Sequence, residues 1–448
     1  MRYRKATTAA EAVFECNPFA LERAGDSRYV DLSDSFGLCP GGRNMLITDL
    51  ESSVSRQSSF HAVLAGTGGS GKSTLIFQHF DKFKEVGLFP VYVDVIESLD
   101  TTDITYSDLM LTLVERIDLA LCGQKVAIDE NVRNEVIKWF SEELLTEEHV
   151  RELDLQIAAS VKAGASVPFV GKFFAKILAA FKGGSKYREE IRQRIDRKPY
   201  ELVDKVNMYL KAAKSALGKK DSSIRGILFF YDNLEKIRDT RQIDIALIKQ
   251  ATLHKKIECF TLFTIPFQLL ITPGEDGGLV RNQFEVYLVP MVKLRYRGNY
   301  HEPRGEGVDA SVKYFGKIIE ERLEVNHIFD DSTLLDEIVL SSGGCPRDLL
   351  HITQTACRYA GVGKVSKDNL ISAITRVRGI HLDPIREKDF EILARVHLKK
   401  QIRNIEEEHR LINHRLIVHY NDERWYDVHP LVWDDERFND AITSINNK

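Results

Sequence analysis

Residues 61–80 read HAVLAGTGGSGKSTLIFQHF, and this stretch decides the fold. His61–Ala65 is short, apolar and followed by glycine, the pattern of a buried strand. Behind it, Gly66-Thr67-Gly68-Gly69-Ser70-Gly71-Lys72-Ser73 fits G-x-x-x-x-G-K-[ST] at every fixed position, and a helix is expected from Gly71 to about Phe83. Strand, glycine-rich turn and helix are the context this motif requires. The glycines let the backbone wrap so tightly that successive N–H groups converge on phosphate oxygens, and the helix start adds its positive end. Gly66 through Thr74 are therefore expected to cradle the phosphates of Mg-ATP. Lys72 should reach the β- and γ-phosphates, and the Ser73 hydroxyl should ligate Mg²⁺.

Working outward, Phe89–Val95 is a second buried strand, which completes a βαβ unit and implies a parallel sheet flanked by helices. Residues 103–221 show no convincing strand and read as a large helical insertion on that core. Strands resume at Gly226–Tyr231, Ile257–Thr264 and Val286–Lys293. In GILFFYDNLEKI (226–237) the apolar strand ends on Asp232, a carboxylate placed to hold Mg²⁺. Hydrolysis also needs a group to orient water. Glu235 is the nearest acidic candidate, although an exposed helix start carries the same residue type.

The remaining organisation divides into a lead-in (1–44), an α/β core (45–298), a helical lid (299–382) and a C-terminal module (383–448). In that last module, helices followed by two strand-like runs suggest a small winged-helix fold. At 448 residues the chain exceeds what one hydrophobic core usually supports. The formal charge of −4, with 62 basic against 66 acidic side chains, gives no whole-chain pull toward nucleic acid. Six scattered cysteines without a C-x-x-C pair argue against a zinc site or a disulfide framework. The first residues, MRYRKATTAAEAVFECNPF, lack the apolar core of a signal peptide, and no run of about 18 apolar residues is present. A cytoplasmic location without a membrane partner is expected.

With both motifs placed, the chain resembles AAA+ ATPases of the initiator and loader branch and the related STAND switch ATPases. The resemblance covers about residues 40–380 and implies an ASCE-type P-loop core. It also gives roles to three further residues. Thr264, at the end of CFTLFTIPF (259–267), matches a sensor 1 position. Arg281, in GGLVRNQFEVYLVP, matches an arginine finger reaching a neighbouring subunit. Arg347, in SSGGCPRDLLHIT, matches sensor 2. A strand-end hydroxyl, a surface arginine and a helix-start arginine are the plain alternatives. The physical logic common to the three is pre-positioned charge stabilisation of the transferring phosphoryl oxygens. The chain departs from the pattern at Asn233, where many such ATPases place a glutamate. That departure bears on turnover and leaves binding untouched.

Within VPFVGKFFAKILAAFKGG (167–184), Phe173, Phe174, Ile177, Leu178 and Phe181 share one helical face opposite Lys172 and Lys176. Packing on neighbouring helices is the plain reading; docking to a membrane, a partner or nucleic acid is the other, and the resemblance to the initiator branch implies a DNA channel that Lys162, Lys172, Lys176 and Lys182 would line. In the tail, Glu406, Glu407 and Glu408 oppose a DNA-reading helix. Trp425, Tyr426 and His429 read as packing residues. Asn17-Pro18-Phe19 and Tyr29–Leu32 are expected to pack, with bracing of an adenine ring as the alternative. Three functions are consistent with these residues. The first is an oligomerising ATPase switch controlling a protein effector, which the resemblance extends to anti-phage defence. The others are a DNA-binding initiator-, loader- or transposition-regulator-like ATPase and a non-hydrolysing nucleotide-stabilised scaffold.

Overall fold

Strands buried on both faces read as unbroken apolar runs, because side chains alternate between two covered surfaces. Phe60–Ala65 (β1), Gly226–Asp232 (β3) and Phe260–Ile265 (β4) are buried at every position. Leu88–Asp94 (β2) and Glu285–Leu288 (β5) carry partly exposed residues and form the edges. The computed structural model describes residues 4–20, 25–32, 42–145, 169–182, 186–237, 239–271, 280–295, 306–420 and 425–447. In it these five strands form one parallel sheet in the order β2-β3-β4-β1-β5. The register pairs Asp94 with Asp232 and Leu64 with Thr264, so the carboxyl ends of β1 to β4 line up along one rim.

The two sheet faces have different covers. Ala62, Leu64, Leu228, Phe230 and Leu262 pack with Leu46 and Leu50 of the Gly42–Ser55 helix and with Leu75 and Ile76 of the Lys72–Gln78 helix. Val63, Val93, Phe229, Tyr231 and Phe263 pack instead into the helices inserted between β2 and β3. The insertion is thus part of the sheet's own core. Burying each such large apolar side chain stabilises the fold by about 1.5–3 kcal/mol.

Tyr106–Gly123 is the central insertion helix, and Phe169–Lys182 lies against it with Phe173, Phe174, Ile177 and Leu178 buried. Lys172 is exposed and Lys176 partly so. The packing alternative for this helix is the one observed; the side chains of Phe181 and Lys182, and all of Lys162, lie outside the described residues. Two arginines of the charged Lys186–Arg197 helix are buried in internal pairs. Arg188 donates to Asp100 at 2.8 Å, and Arg192 donates to Asp103 at 2.7 Å and also pairs with Asp108.

The lead-in packs on the lid. Thr8 caps the Ala9–Glu15 helix, whose Ala9 and Ala12 share a core with Val312, Phe315, Ile319, Leu349 and Ile352 from the Glu306–Glu320 and Pro346–Ala360 helices. The Asp389–Lys399, Glu406–Asn413 and Glu436–Asn446 helices enclose a separate small core with the antiparallel hairpin Ile417–Tyr420 (β6) and Trp425–Val428 (β7). The far side of that hairpin turns inward: Val418, Tyr420 and Trp425 pack on Met291 and Cys345. Among the described residues no helix is long and apolar enough to cross a membrane.

Three element boundaries differ from the sequence reading for identifiable reasons. The helix after the phosphate loop breaks at His79, whose ring nitrogen Nδ1 bonds the Leu75 carbonyl at 2.7 Å. β4 starts at Phe260, since Ile257 still ends the preceding turn by bonding the His254 carbonyl at 3.0 Å. β5 stops at Leu288 because Pro290 has no N–H for a ladder, and Met291 N bonds the His419 carbonyl of the hairpin at 3.1 Å.

Candidate functional site

The loop after β1 has the geometry its glycines predict. Gly69 and Gly71 hold φ values of +87° and +90°, a region that costs side-chain-bearing residues steric strain. A Cβ on Gly66 would lie 2.6 Å from the Val289 carbonyl, so the close approach of the loop to the strand extension also requires glycine. Lys72 is buried and its Nζ donates to the carbonyls of Gly66 at 2.9 Å and Thr67 at 3.1 Å. The ammonium therefore lies over the loop, 3.6 Å from Glu235 Oε1.

The ends of the neighbouring strands bring the other predicted groups to the same place. Ser73 Oγ donates to Asp232 Oδ1 at 2.9 Å. Burial, and then the nearby Glu235 carboxylate, push the Asp232 carboxyl above the usual range. Asn233 takes a left-handed backbone (φ 71°) that turns the chain into a short helical turn at Leu234–Lys236. Glu235 is thereby aimed back into the site, where the Thr264 hydroxyl donates to its Oε2 at 2.6 Å. Burial works against the charge on Glu235, but Lys72 and the Thr264 hydroxyl outweigh it and hold its carboxyl below the usual range. Glu235 is not the solvated helix-start residue of the plain alternative.

Two groups enter that sequence reasoning missed. Tyr92 OH lies 3.3 Å from Asp232 Oδ2 and 3.4 Å from Asp94 Oδ2, while Asn233 Nδ2 donates to Asp94 Oδ2 at 2.8 Å. The amide at the departing position is thus engaged with Asp94. The available signal was position: Asp94 stands near the carboxyl end of the strand read at Phe89–Val95, and ligands of parallel α/β sheets bind beyond the carboxyl ends of the strands.

From the lid, Arg347 reaches the phosphate loop: a Cβ on Gly69 would lie 2.8 Å from that of Arg347. Arg347 Nε is buried and makes no hydrogen bond, and its guanidinium lies 5.7 Å from the centroid of the Phe19 ring. Phe19 is 78% exposed. Together these groups bound a cavity of about 330 Å³, lined also by Ser73, Thr74, Pro18, Tyr29, Ile318 and Leu350. The lead-in residues expected to pack are thus also walls of the cavity. Arg281 does not reach it. That side chain is exposed and precedes the amino end of β5, whereas the carboxyl end of β5 pairs with Ala65 beside the loop. Four strand residues separate the two ends, about 10 Å.

The donor set fits magnesium and a polyphosphate. Ser73 and Asp232 offer hard oxygens in contact, which suit Mg²⁺. The glycine-lined loop, the helix start at Lys72 and the orphaned Arg347 Nε are donors suited to phosphate oxygens.

No described protein family matches the chain, and no curated relative does. Solved structures with a similar course include the Walker-type ATPase of Pyrococcus abyssi (13% identity, 93% of this chain and 98% of that one, TM-score 0.40). Others are Drosophila ORC bound to DNA (10% identity, 99% and 95%, TM-score 0.40) and the RuvB Holliday junction branch migration motor of Thermotoga maritima (12% identity, 90% and 95%, TM-score 0.37). At these scores the likeness adds nothing to the argument, which rests on the loop, the strand order and the side chains assembled at the rim.

Proposed function

We propose that this chain is an ATP-binding and ATP-hydrolysing molecular switch of the AAA+/STAND type, which assembles with further copies of itself and controls a partner protein. The observation that carries the reading is the convergence of Lys72, Ser73, Asp232, Glu235 and Arg347 on one cavity from the phosphate loop, the end of β3 and the lid. The chain is taken as a lead-in (1–44), a core (45–298), a lid (299–382) and a winged-helix-like module (383–448).

In this reading the N–H groups of residues 66–74 and the Lys72 ammonium hold the β- and γ-phosphates. Ser73 and Asp232 would hold magnesium, which when bound would supply neutralisation of phosphate charge. Glu235 orients water for in-line attack, and its lowered carboxyl pKa keeps it ionised near neutrality. Thr264 fixes the Glu235 carboxylate, and Arg347 stabilises charge on the transferring oxygens. Asn233 does not preclude turnover in this reading, because the left-handed turn it starts brings Glu235 beside Lys72 and Thr264.

Arg281 belongs to a neighbour's site in this proposal, which ties activity to assembly. The test is light scattering with no nucleotide, with ADP and with a non-hydrolysable ATP analogue, alongside phosphate release. An assembly formed with the analogue and lost in Arg281→Ala supports the switch. A monomer under every condition removes the trans finger. Nucleotide-driven assembly without phosphate release leaves a scaffold instead.

A further inference from the structure

We infer that Arg415, in the C-terminal module, is a positioning residue for the nucleotide site and acts on Arg347 through Asp348. The inference rests on the nucleotide-binding reading above. Asp348 follows Arg347 directly in the first turn of the Pro346–Ala360 helix and is fully buried. Arg415 grips it in a two-pronged contact, Nε to Oδ2 at 3.1 Å and Nη2 to Oδ1 at 3.0 Å. A fork of this kind fixes orientation as well as charge. His381 and His429 also approach Asp348, each with Nε2 at 3.3 Å from a carboxylate oxygen.

The backbone at Arg415 strengthens the case. It follows the Glu406–Asn413 helix with a φ of 59°, where glycine or asparagine is the low-strain choice. Strain of this kind persists where the surroundings require the particular side chain. Arg415 spans from that turn to the buried carboxylate.

A metal ion does not account for the cluster, although one carboxylate and two imidazoles lie close together. His429 Nδ1 accepts from Leu431 N at 3.2 Å, and its Nε2 lies 3.1 Å from the Ser342 carbonyl. A carbonyl only accepts, so Nε2 carries the proton and has no lone pair for a cation. Both Asp348 oxygens already face the Arg415 guanidinium.

The turn that precedes Arg347 is tied to the same module and to the core. Tyr420 OH donates to the Gly343 carbonyl at 2.9 Å, and Val292 N donates to the Gly344 carbonyl at 3.0 Å. Cys345 Sγ lies 3.7 Å from the Gly69 carbonyl of the phosphate loop. Displacing the C-terminal module from Asp348 would therefore re-aim Arg347 relative to Gly68 and Gly69. A module bound elsewhere, for example on a partner, would change nucleotide affinity by that route.

The experiment measures dissociation constants for Mg-ATPγS and Mg-ADP by titration calorimetry. It uses the wild type, Arg347→Ala, Arg415→Ala, Arg415→Lys and the Arg347→Ala/Arg415→Ala double variant, all checked for fold by circular dichroism. Arg415→Ala is expected to lower the preference for ATPγS over ADP by roughly tenfold, the scale of one charged hydrogen-bonded contact. In the Arg347→Ala background the same change should have no further effect. Arg415→Lys, which keeps the charge and loses the fork, should fall between, and it carries the test if the alanine variant does not fold. Equal losses for both nucleotides, or an undiminished effect without Arg347, mean a purely structural role and overturn the inference. A wild type that binds neither nucleotide overturns the nucleotide-site reading itself. A wild type that binds, with Arg415 variants of unchanged preference, overturns only the role of Arg415.

Discussion

At Asn233 one backbone angle decides which carboxylate enters the cavity. The left-handed φ of Asn233 starts the turn at Leu234–Lys236 while its side chain bonds Asp94, and Glu235 comes to lie between Lys72 and Thr264. Glu235→Gln keeps the shape and the Thr264 contact while losing the carboxylate proposed to orient water. Phosphate release should therefore fall by about 10²–10⁴-fold with ATPγS affinity changed only a few-fold. Comparable loss of binding and turnover would reassign Glu235 to structure. Asp232 gives a second, opposite signature. Its folded pKa is raised, so its ionisation disfavours the metal-free fold as pH climbs above the ordinary carboxylate range. At pH 7 without magnesium, Asp232→Asn should melt no lower than the wild type. With Mg-ATP, the wild type should gain several degrees that the variant does not. A variant that gains equally would show that Asp232 holds no metal.

The glycine pair before the Pro346–Ala360 helix does at the level of elements what Asn233 does locally. Gly344 has a φ of 77°, and a Cβ there would lie 1.9 Å from the Val292 carbonyl. Gly344→Ala must push the lid turn off the core, with Arg347 attached. A loss of about 3–5 kcal/mol, among the largest single-residue effects, is expected in chemical denaturation, together with weaker ATPγS binding. Gly379, exposed in the Lys367–Leu382 helix with open space around it, is the control: Gly379→Ala should stabilise by about 1 kcal/mol. If both substitutions behave alike, the close approach at Gly344 is not what the turn depends on. The sequence motif SSGGCPRD announced a turn into a helix because glycine and proline act through local backbone rules. It could not announce Val292 or Tyr420 as the turn's partners, since those contacts span 52 and 77 positions and leave no local pattern. For the same reason the phosphate loop and Asp232 were legible, each carried by a short periodic stretch. The partners of Tyr92 and Asp94 become visible only once β2 lies beside β3, and the adenine-bracing alternative for the lead-in gains its cavity wall only once the first helix lies on the lid.

Across the whole molecule, buried histidines set how the fold responds to acid. His61 in β1 bonds the Thr261 hydroxyl at 2.8 Å, His254 lies against Tyr106 and Phe263, and His419 stacks on Phe267 with centroids 4.5 Å apart. They sit in the sheet, beside the insertion and at the hairpin, so the effect is distributed over three parts of the chain. Burial pulls each ring's pKa down to about 4. The depressed value means that the neutral form is the one the fold accepts. The associated stability is fully present above the unfolded value of about 6.5 and is lost as pH falls from there toward 4. Asp348 acts in a lower window. The Arg415 guanidinium, with His381 and His429, outweighs burial and holds its carboxyl well below the usual range, so its contribution persists until pH drops under that range. Denaturation midpoints should consequently be flat from about pH 7 to 8 and decline between about 6.5 and 4. His419→Phe keeps a ring between Phe267 and Tyr426 and removes one titrating group. It should make that decline shallower without lowering the midpoint at pH 7.5. A decline of unchanged steepness would place the acid response elsewhere, because a ring that stays neutral in the folded state cannot be removed without reducing the proton uptake on unfolding.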